Sequence, residues 1–171
     1  QRQMCIRDRN ATVFLLWNKG TDGVWYCIRE YYYSGRTEGK QKTDNEYADD
    51  LESWLEGTKI KGIIVDPSAA SFIAELRKRG YKVVKAKNNV EDGIRVVGTK
   101  LNQEAIIFAD SCVNTIQEFG SYIWDEAAAA HGEDRPVKEH DHAMDALRYF
   151  VYTILNNQTA IIRSKRKAGF H

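Results

Sequence analysis

Apolar and polar positions along the chain follow two rhythms, which predict where strands and helices lie. Short apolar runs rich in β-branched and aromatic residues are typical of strands. Between them, apolar residues three and four positions apart are typical of amphipathic helices. The predicted strands are 12–17, 24–33, 62–65, 81–85 and 105–108. The predicted helices are 43–55, 68–79, 90–101, one through Val113, Ile116 and Phe119, and 140–156.

The order of these elements predicts the fold class. A hairpin followed by alternating helices and strands indicates a mixed α/β sheet flanked by helices within one domain. Thr43 and Glu46 have the spacing of a capping box at the first helix. Asp110 or Ser111 is placed to cap the helix that follows. The uninterrupted apolar run in 62–65 indicates a strand buried on both faces.

The two ends of the chain lack these rhythms. Residues 1–9 match neither a helix nor a strand period and resemble a translated sequencing-adaptor fragment. We therefore expect 1–9 to be a non-native or disordered leader, with the alternative of a native disordered terminus. Residues 10–157 are expected to form the domain, and 158–171 a basic, disordered tail.

Composition narrows the class of protein. The chain has 171 residues, of which 43% are hydrophobic and 29% charged, as in ordinary soluble globular proteins. The net charge of +1 gives no global nucleic-acid signature, so a DNA-binding surface would have to be a local patch. The three cysteines follow no disulfide or metal spacing, which favours a reducing, intracellular compartment. No apolar run suits a membrane span, and no signal peptide is visible.

The first turn of the predicted helix 140–156 concentrates polar ligand types. Asp141 and Asp145 are four residues apart and His142 and Asp145 three apart, so each pair shares a helix face. Two carboxylates on one face repel each other unless a positive group lies between them. A divalent cation would provide that group. The alternative is that Asp141 only complements the helix dipole or caps the helix.

A possible partner for these acids follows the buried strand 62–65. Asp66 comes directly after that strand. Ligand sites in open α/β sheets gather at the carboxyl ends of strands. Asp66 is therefore a second candidate ligand, with capping of the next helix as the alternative role.

Three stretches together resemble the nuclease domain of phage large terminase subunits. They are 10–17, 65–69 and 141–149, supported by 85–90 and 92–94. The resemblance implies an RNase H-like fold and a metal-dependent endonuclease that cuts concatemeric double-stranded DNA with a two-metal site of Mg²⁺ or Mn²⁺. It assigns catalytic roles to Asp66, Asp145 and His142, and metal ligation to Asp66, Asp145 and Asp141.

The resemblance also identifies what this chain lacks. The family's first acid belongs on the first strand, at a place that falls near Cys5 here, and Asp8 has the wrong spacing. We therefore expect the first-strand acid to be missing. No phosphate-binding glycine loop with Lys and Ser or Thr occurs, so the ATPase motor is expected to be absent.

Four basic residues are candidates for contacts with the phosphates of DNA. They are Lys85, Lys87, Arg95 and Lys138.

The expected partners follow from the same resemblance. They are double-stranded DNA and, in the full-length protein, an ATPase domain, a small terminase subunit and the portal. The expected location is the host cytoplasm, and no membrane is expected among the partners. Two alternatives remain open. One is a catalytically inactive DNA-holding or docking module, which would bind DNA with a steep salt dependence and no metal. The other is another RNase H-like nuclease of the resolvase or transposase type.

Overall fold

A computed structural model of the chain describes residues 2–7, 11–121 and 141–156. The strands within these ranges are β1 (Arg2–Arg7), β2 (Ala11–Lys19), β3 (Trp25–Ser34), β4 (Gly62–Val65), β5 (Val83–Lys85) and β6 (Ile106–Phe108). The helices are α1 (Asp44–Leu55), α2 (Ala70–Lys78), α3 (Val90–Asn102), α4 (Val113–Ser121) and α5 (His142–Phe150). A π-helical segment, Val151–Leu155, continues α5. Asp8, Lys138 and the basic tail lie outside the described residues.

The strands form one mixed sheet in the order β5-β4-β1-β2-β3-β6. β2 pairs antiparallel with β1 and with β3, whereas β1–β4, β4–β5 and β3–β6 are parallel pairs. All strands except β2 therefore point the same way, and their carboxyl ends share one edge of the sheet. The predicted mixed α/β sheet is confirmed.

Six of the first nine residues, Arg2–Arg7, take part in the sheet, which differs from the expected disordered leader. Their backbone forms β1, which lies between β2 and β4 near the centre of the sheet. Strand pairing uses the N–H and C=O groups that every non-proline residue carries, so a segment without a hydrophobic period can fill a central place in a sheet. The register pairs Cys5 with Ile64 and Ile6 with Val65, directly before Asp66.

Two apolar layers cover the sheet. On one face, Phe14, Leu16, Ile63 and Val65 pack with the buried residues of α1 and α2. On the other face, the alternate strand residues pack against α3, α4 and α5. The buried residues of this layer include Val13, Leu15, Trp17, Trp25, Ile64, Leu147 and Phe150. β2 and β4 are thus buried on both sides, as the apolar run in 62–65 predicts.

The ends of the helices follow partly from local sequence. Thr43 and Glu46 form the predicted capping box at α1. The α2 helix begins at Ala70 rather than at residue 68, because Ser68 turns back to bond Asp66. None of the described helices is long and apolar enough to cross a membrane.

Candidate active site

Asp66 lies at the carboxyl end of β4, and its side chain is almost fully enclosed, with 3% of the residue exposed. Its Oδ1 accepts hydrogen bonds from the backbone N of Ser68 at 2.9 Å and from the Ser68 hydroxyl at 2.7 Å. Its Oδ2 accepts from the hydroxyl of Tyr149 at 3.0 Å. Asp66 therefore does more than shape the turn before α2, because its second oxygen faces α5.

Tyr149 brings the acid of β4 against the helix that carries the other predicted acids. Asp145 lies four residues before Tyr149 on α5, and therefore one turn away on the same helix face. Asp66 and Tyr149 are 83 residues apart along the chain, so it is the tertiary structure that brings the end of β4 against α5. Tyr149 is a site residue that the sequence reasoning missed, although its helical spacing from Asp145 was visible.

Asp145 is engaged in a nearly buried ion pair. Its Oδ1 accepts from Nη2 of Arg148 at 2.6 Å, and the two side chains are 14% and 5% exposed. This short, charge-assisted contact balances the negative charge of Asp145 within the protein. The sequence reasoning did not identify Arg148, although it lies within the stretch that carries the family resemblance.

The guanidinium of Arg148 also reaches the loop between β5 and α3. Its Nη1 donates to the backbone carbonyls of Asn88 at 3.0 Å and Asn89 at 3.3 Å. Gly93 on α3 leaves room for this side chain, because a Cβ at that position would lie 2.6 Å from Arg148 Cγ and 2.7 Å from Cδ. The glycine is thus required by close packing.

The start of α5 is capped by a residue from another helix. Glu118 on α4 accepts through Oε2 from the backbone N of Ala143 at 2.7 Å and of Met144 at 3.2 Å. Its Oε1 accepts from the hydroxyl of Tyr32 at 3.1 Å. Asp141 occupies the N-cap position but makes no side-chain cap bond. Capping is therefore the role of Glu118, which no sequence motif had indicated.

Burial governs the ionisation of this capping group. Enclosure raises the pKa of Glu118 to about 7, and the nearby charge of Asp141 acts in the same direction. The hydrogen bonds from Met144, Ala143 and Tyr32 oppose this shift in the pKa and do not cancel it. Burial likewise raises the pKa of Tyr32, with a contribution from the charge of Glu118, so its hydroxyl stays a donor at neutral pH.

The remaining predicted polar residues occupy different positions around α5. His142 lies next to Asp141, with its Nδ1 4.0 Å from the Asp141 Oδ1, and its side chain is 20% exposed. Lys85 and Lys87 are exposed at and just after the end of β5. Arg95 is exposed on α3 and lies 3.5 Å from the Asp92 carboxylate. Lys138 lies outside the described part of the chain.

The donors suit a divalent cation in kind but not in number. Carboxylate oxygens are the ligands that Mg²⁺ and Mn²⁺ prefer. Among the residues that the structure describes, however, no three His, Cys, Asp or Glu side chains form a cluster that could hold a metal ion. The predicted trio of Asp66, Asp145 and Asp141 is thus not assembled: Asp66 bonds Tyr149, Asp145 bonds Arg148, and the Asp141 charge acts on Glu118.

Comparisons with known proteins agree on one group. No family model matches the chain. The large terminase subunit of Escherichia phage T5 is 29% identical over 152 residues, which are 86% of this chain and 33% of that protein. The large terminase of a thermophilic bacteriophage, solved in complex with ATP-γ-S, is 53% identical with a TM-score of 0.88, over 91% of this chain and 40% of that one.

An isolated nuclease domain shares the fold at lower identity. The large terminase nuclease domain of bacteriophage SPP1, solved with bound Mn, is 20% identical with a TM-score of 0.62, over 92% of this chain and 86% of that one. The chain therefore spans well under half of the T5 protein and of the terminase solved with ATP-γ-S, but most of a nuclease domain. This chain is a homologue of phage large terminase subunits, and its described part has the RNase H-like fold of their nuclease domains.

Proposed function

We propose that this chain is the endonuclease part of a viral DNA-packaging terminase, which hydrolyses phosphodiester bonds of concatemeric double-stranded DNA. The observation that carries the proposal is the hydrogen bond from Tyr149 to Asp66. It brings the acid at the end of β4 to the helix face that bears Asp145, as convergence of the two carboxylates on one scissile phosphate requires. The relation to large terminases supports the choice of substrate.

In the proposed reaction, Asp66 and Asp145 would hold Mg²⁺ or Mn²⁺ together with an acid at the first-strand position that Cys5 occupies in this chain, since β1 itself carries no acid. Asp141, at the N-cap of α5, is a further candidate ligand. Bound divalent ions would supply an activated water and stabilise the departing oxyanion. Ser68 and Tyr149 orient Asp66, so its carboxylate is fixed before any ion binds. His142, the residue after Asp141, would orient water or accept a proton near neutral pH.

Exposed basic side chains at the same edge would hold the DNA backbone. Lys85 ends β5, the strand next to β4, and Lys87 lies two residues farther on; both residues are exposed. Arg95 lies farther along α3 and is partly neutralised by Asp92, so we expect a smaller contribution from it. Lys138 is proposed as a further contact. An ATPase domain, a small subunit and the portal are the proposed partners of the whole protein, in the host cytoplasm.

The test restores an acid on β1. Cys5→Asp, and separately Arg7→Asp two positions along the strand, is incubated with supercoiled plasmid and Mn²⁺ or Mg²⁺. We expect metal-dependent nicking by at least one variant, and its loss on adding Asp66→Ala or Asp145→Ala. Asp110→Ala is the matched control. Asp110 is an exposed acid just after β6, which is the edge strand farthest from β4 and β5. Nicking that survives Asp145→Ala would contradict the proposal.

A metal-free DNA-holding module is the second candidate. The observation that favours it is the pairing of Asp145 with Arg148, which satisfies the carboxylate without an ion. This module would bind DNA in EDTA with an affinity that falls steeply with salt, and calorimetry would detect no Mn²⁺ binding to the Cys5→Asp or Arg7→Asp variant. Binding of Mn²⁺ that depends on Asp66 and Asp145 would exclude this candidate.

A further inference from the structure

Arg148 joins two parts of the molecule that the sequence keeps apart. One arm of its guanidinium donates to Asp145 on the same helix, and the other arm donates to the backbone carbonyls of Asn88 and Asn89. The residue is 4% exposed, so these partners replace water almost completely. A change at either end of this bridge therefore alters the hydrogen bonding available at the other.

The geometry of the bridge requires an arginine. A planar guanidinium offers donors in fixed directions, whereas the ammonium of a lysine is a compact point charge. The aliphatic part of the Arg148 side chain packs directly against Gly93, where a Cβ would overlap its Cγ and Cδ. Arg148 thus makes close contacts both along its aliphatic part and at its guanidinium.

The loop at the far end of the bridge carries one of the proposed DNA contacts. Lys87 immediately precedes Asn88, and its backbone N donates to the hydroxyl of Thr153 in the π-helical segment at 2.9 Å. Tyr152, the neighbour of Thr153, lies 3.4 Å from the Asp92 carboxylate through its hydroxyl. Together with Arg148, these contacts attach residues 87–92 to α5 and its π-helical continuation, which form one continuous helical unit with Asp145.

We propose that Arg148 is a positioning residue that couples the carboxylate of Asp145 to the β5–α3 loop. When Asp145 is neutralised or engaged by another cation, the guanidinium loses its charged partner and its hold on Asn88 and Asn89 weakens. The value of this coupling for cleavage rests on the proposed function, in which the loop that carries Lys87 would respond to the state of the metal-binding carboxylate. The coupling itself is a property of the folded chain and needs no substrate.

Hydrogen exchange at single amides tests the coupling. The reporter amides are those of Lys87, Asp92 and Gly93, whose N–H groups bond Thr153 Oγ1, Asn89 Oδ1 and the Asn89 carbonyl respectively. Asp145→Asn keeps the shape of the side chain and removes its charge. We expect the reporter amides to exchange about tenfold faster in this variant, the loss that corresponds to a weakened charge-assisted hydrogen bond.

Three further variants separate coupling from general loosening. Arg148→Lys should speed exchange at the reporters at least as much as Asp145→Asn, and the double variant no more than Arg148→Lys alone, because both act through one bridge. Asp141→Asn, which changes the acid at the N-cap of the same helix, should leave the reporters unchanged. The amide of Ala86, which bonds the Val65 carbonyl within the sheet, reports on global opening and should also stay unchanged.

The coupling is wrong if Asp145→Asn leaves the reporters at the parent rate, or if the effects of Asp145→Asn and Arg148→Lys add in the double variant. Should Arg148→Lys fail to fold, the comparison of Asp145→Asn with Asp141→Asn decides alone. The result is independent of nuclease activity. Absence of nicking by the Cys5→Asp and Arg7→Asp variants would overturn the proposed function and leave the exchange result standing.

Discussion

The hydroxyl of Tyr149 donates to the carboxylate of Asp66 across 3.0 Å, and so links the end of the interior strand β4 to the last turn of α5. Both groups are buried, with 3% of each residue exposed. Their bond connects the two acidic stretches directly, since Asp145 lies one turn from Tyr149. The strand–helix packing that places the candidate site therefore depends on a phenol that is itself no metal ligand.

Removing the Tyr149 hydroxyl should weaken the fold measurably. In Tyr149→Phe, Asp66 loses one hydrogen bond in a site that water barely reaches, which we expect to cost about 1 to 3 kcal/mol in the free energy of unfolding. Urea denaturation followed by circular dichroism measures the change. Tyr152→Phe is the matched control, because its hydroxyl makes a longer 3.4 Å contact with Asp92 and should cost less. Equal losses in the two variants would contradict a special role for the Asp66 contact.

Replacing each of two glycines of α3 by alanine should change the stability of the chain in opposite directions. In an open position of a helix, Ala is favoured over Gly by about 1 kcal/mol. A Cβ at Gly98 would meet no described atom outside its own turn within 4 Å, so Gly98→Ala should stabilise the chain. At Gly93 the same Cβ would overlap the Cγ and Cδ of Arg148, so Gly93→Ala should destabilise it by about 1 to 3 kcal/mol.

Thermal and urea unfolding of Gly93→Ala and Gly98→Ala measures whether each variant is less or more stable than the parent chain. If Gly93→Ala is as stable as Gly98→Ala, then the packing of Arg148 against α3 is looser than the structure has it. Exchange at the loop amides should also accelerate in Gly93→Ala and remain at the parent rate in Gly98→Ala, because only the first displaces Arg148.

The buried carboxyl of Glu118 should make stability depend on pH. Its pKa is about 7 in the folded chain against an ordinary value of 4.5, so the folded state binds more protons than the unfolded state between these values. Stability should therefore fall as the pH rises from about 4.5 to 7, by on the order of 3 kcal/mol at most from this group. Above pH 7 its contribution is constant.

Glu118→Gln isolates this contribution, because an amide of the same size can still accept from the start of α5 and cannot ionise. Relative to the parent, the variant should gain stability steadily between pH 4.5 and 7, measured by urea unfolding at each pH. Asp141→Asn should reduce the same slope, since the charge of Asp141 helps to raise the Glu118 pKa. A parallel pH dependence in parent and Glu118→Gln would show that Glu118 titrates normally.

Helix caps mark the limit of local sequence reasoning. The capping box of Thr43 and Glu46 was predictable because both partners lie within four residues. At α4, the prediction that Asp110 or Ser111 caps the helix was wrong: Glu30 on β3 accepts from the backbone N of Thr115 at 2.7 Å and of Asn114 at 2.9 Å.

At α5, Glu118 acts in the same way in place of Asp141. Both caps join residues more than 20 positions apart, and no local pattern encodes such a contact. The consequence for the candidate site is that Asp141 is released from the structural role that its position suggested.

By itself, the amino-acid order determined the strands and helices whose apolar spacing is regular, the double burial of β4, and the acids Asp66 and Asp145 as candidates. These follow because periodicity and side-chain type are properties of short segments. Only the tertiary structure decided that β1 enters the centre of the sheet, that Tyr149 meets Asp66, and that Arg148 bridges Asp145 to the β5–α3 loop. Those outcomes depend on hydrogen bonds and packing between segments far apart along the chain, where the partner is chosen by the geometry of the whole fold.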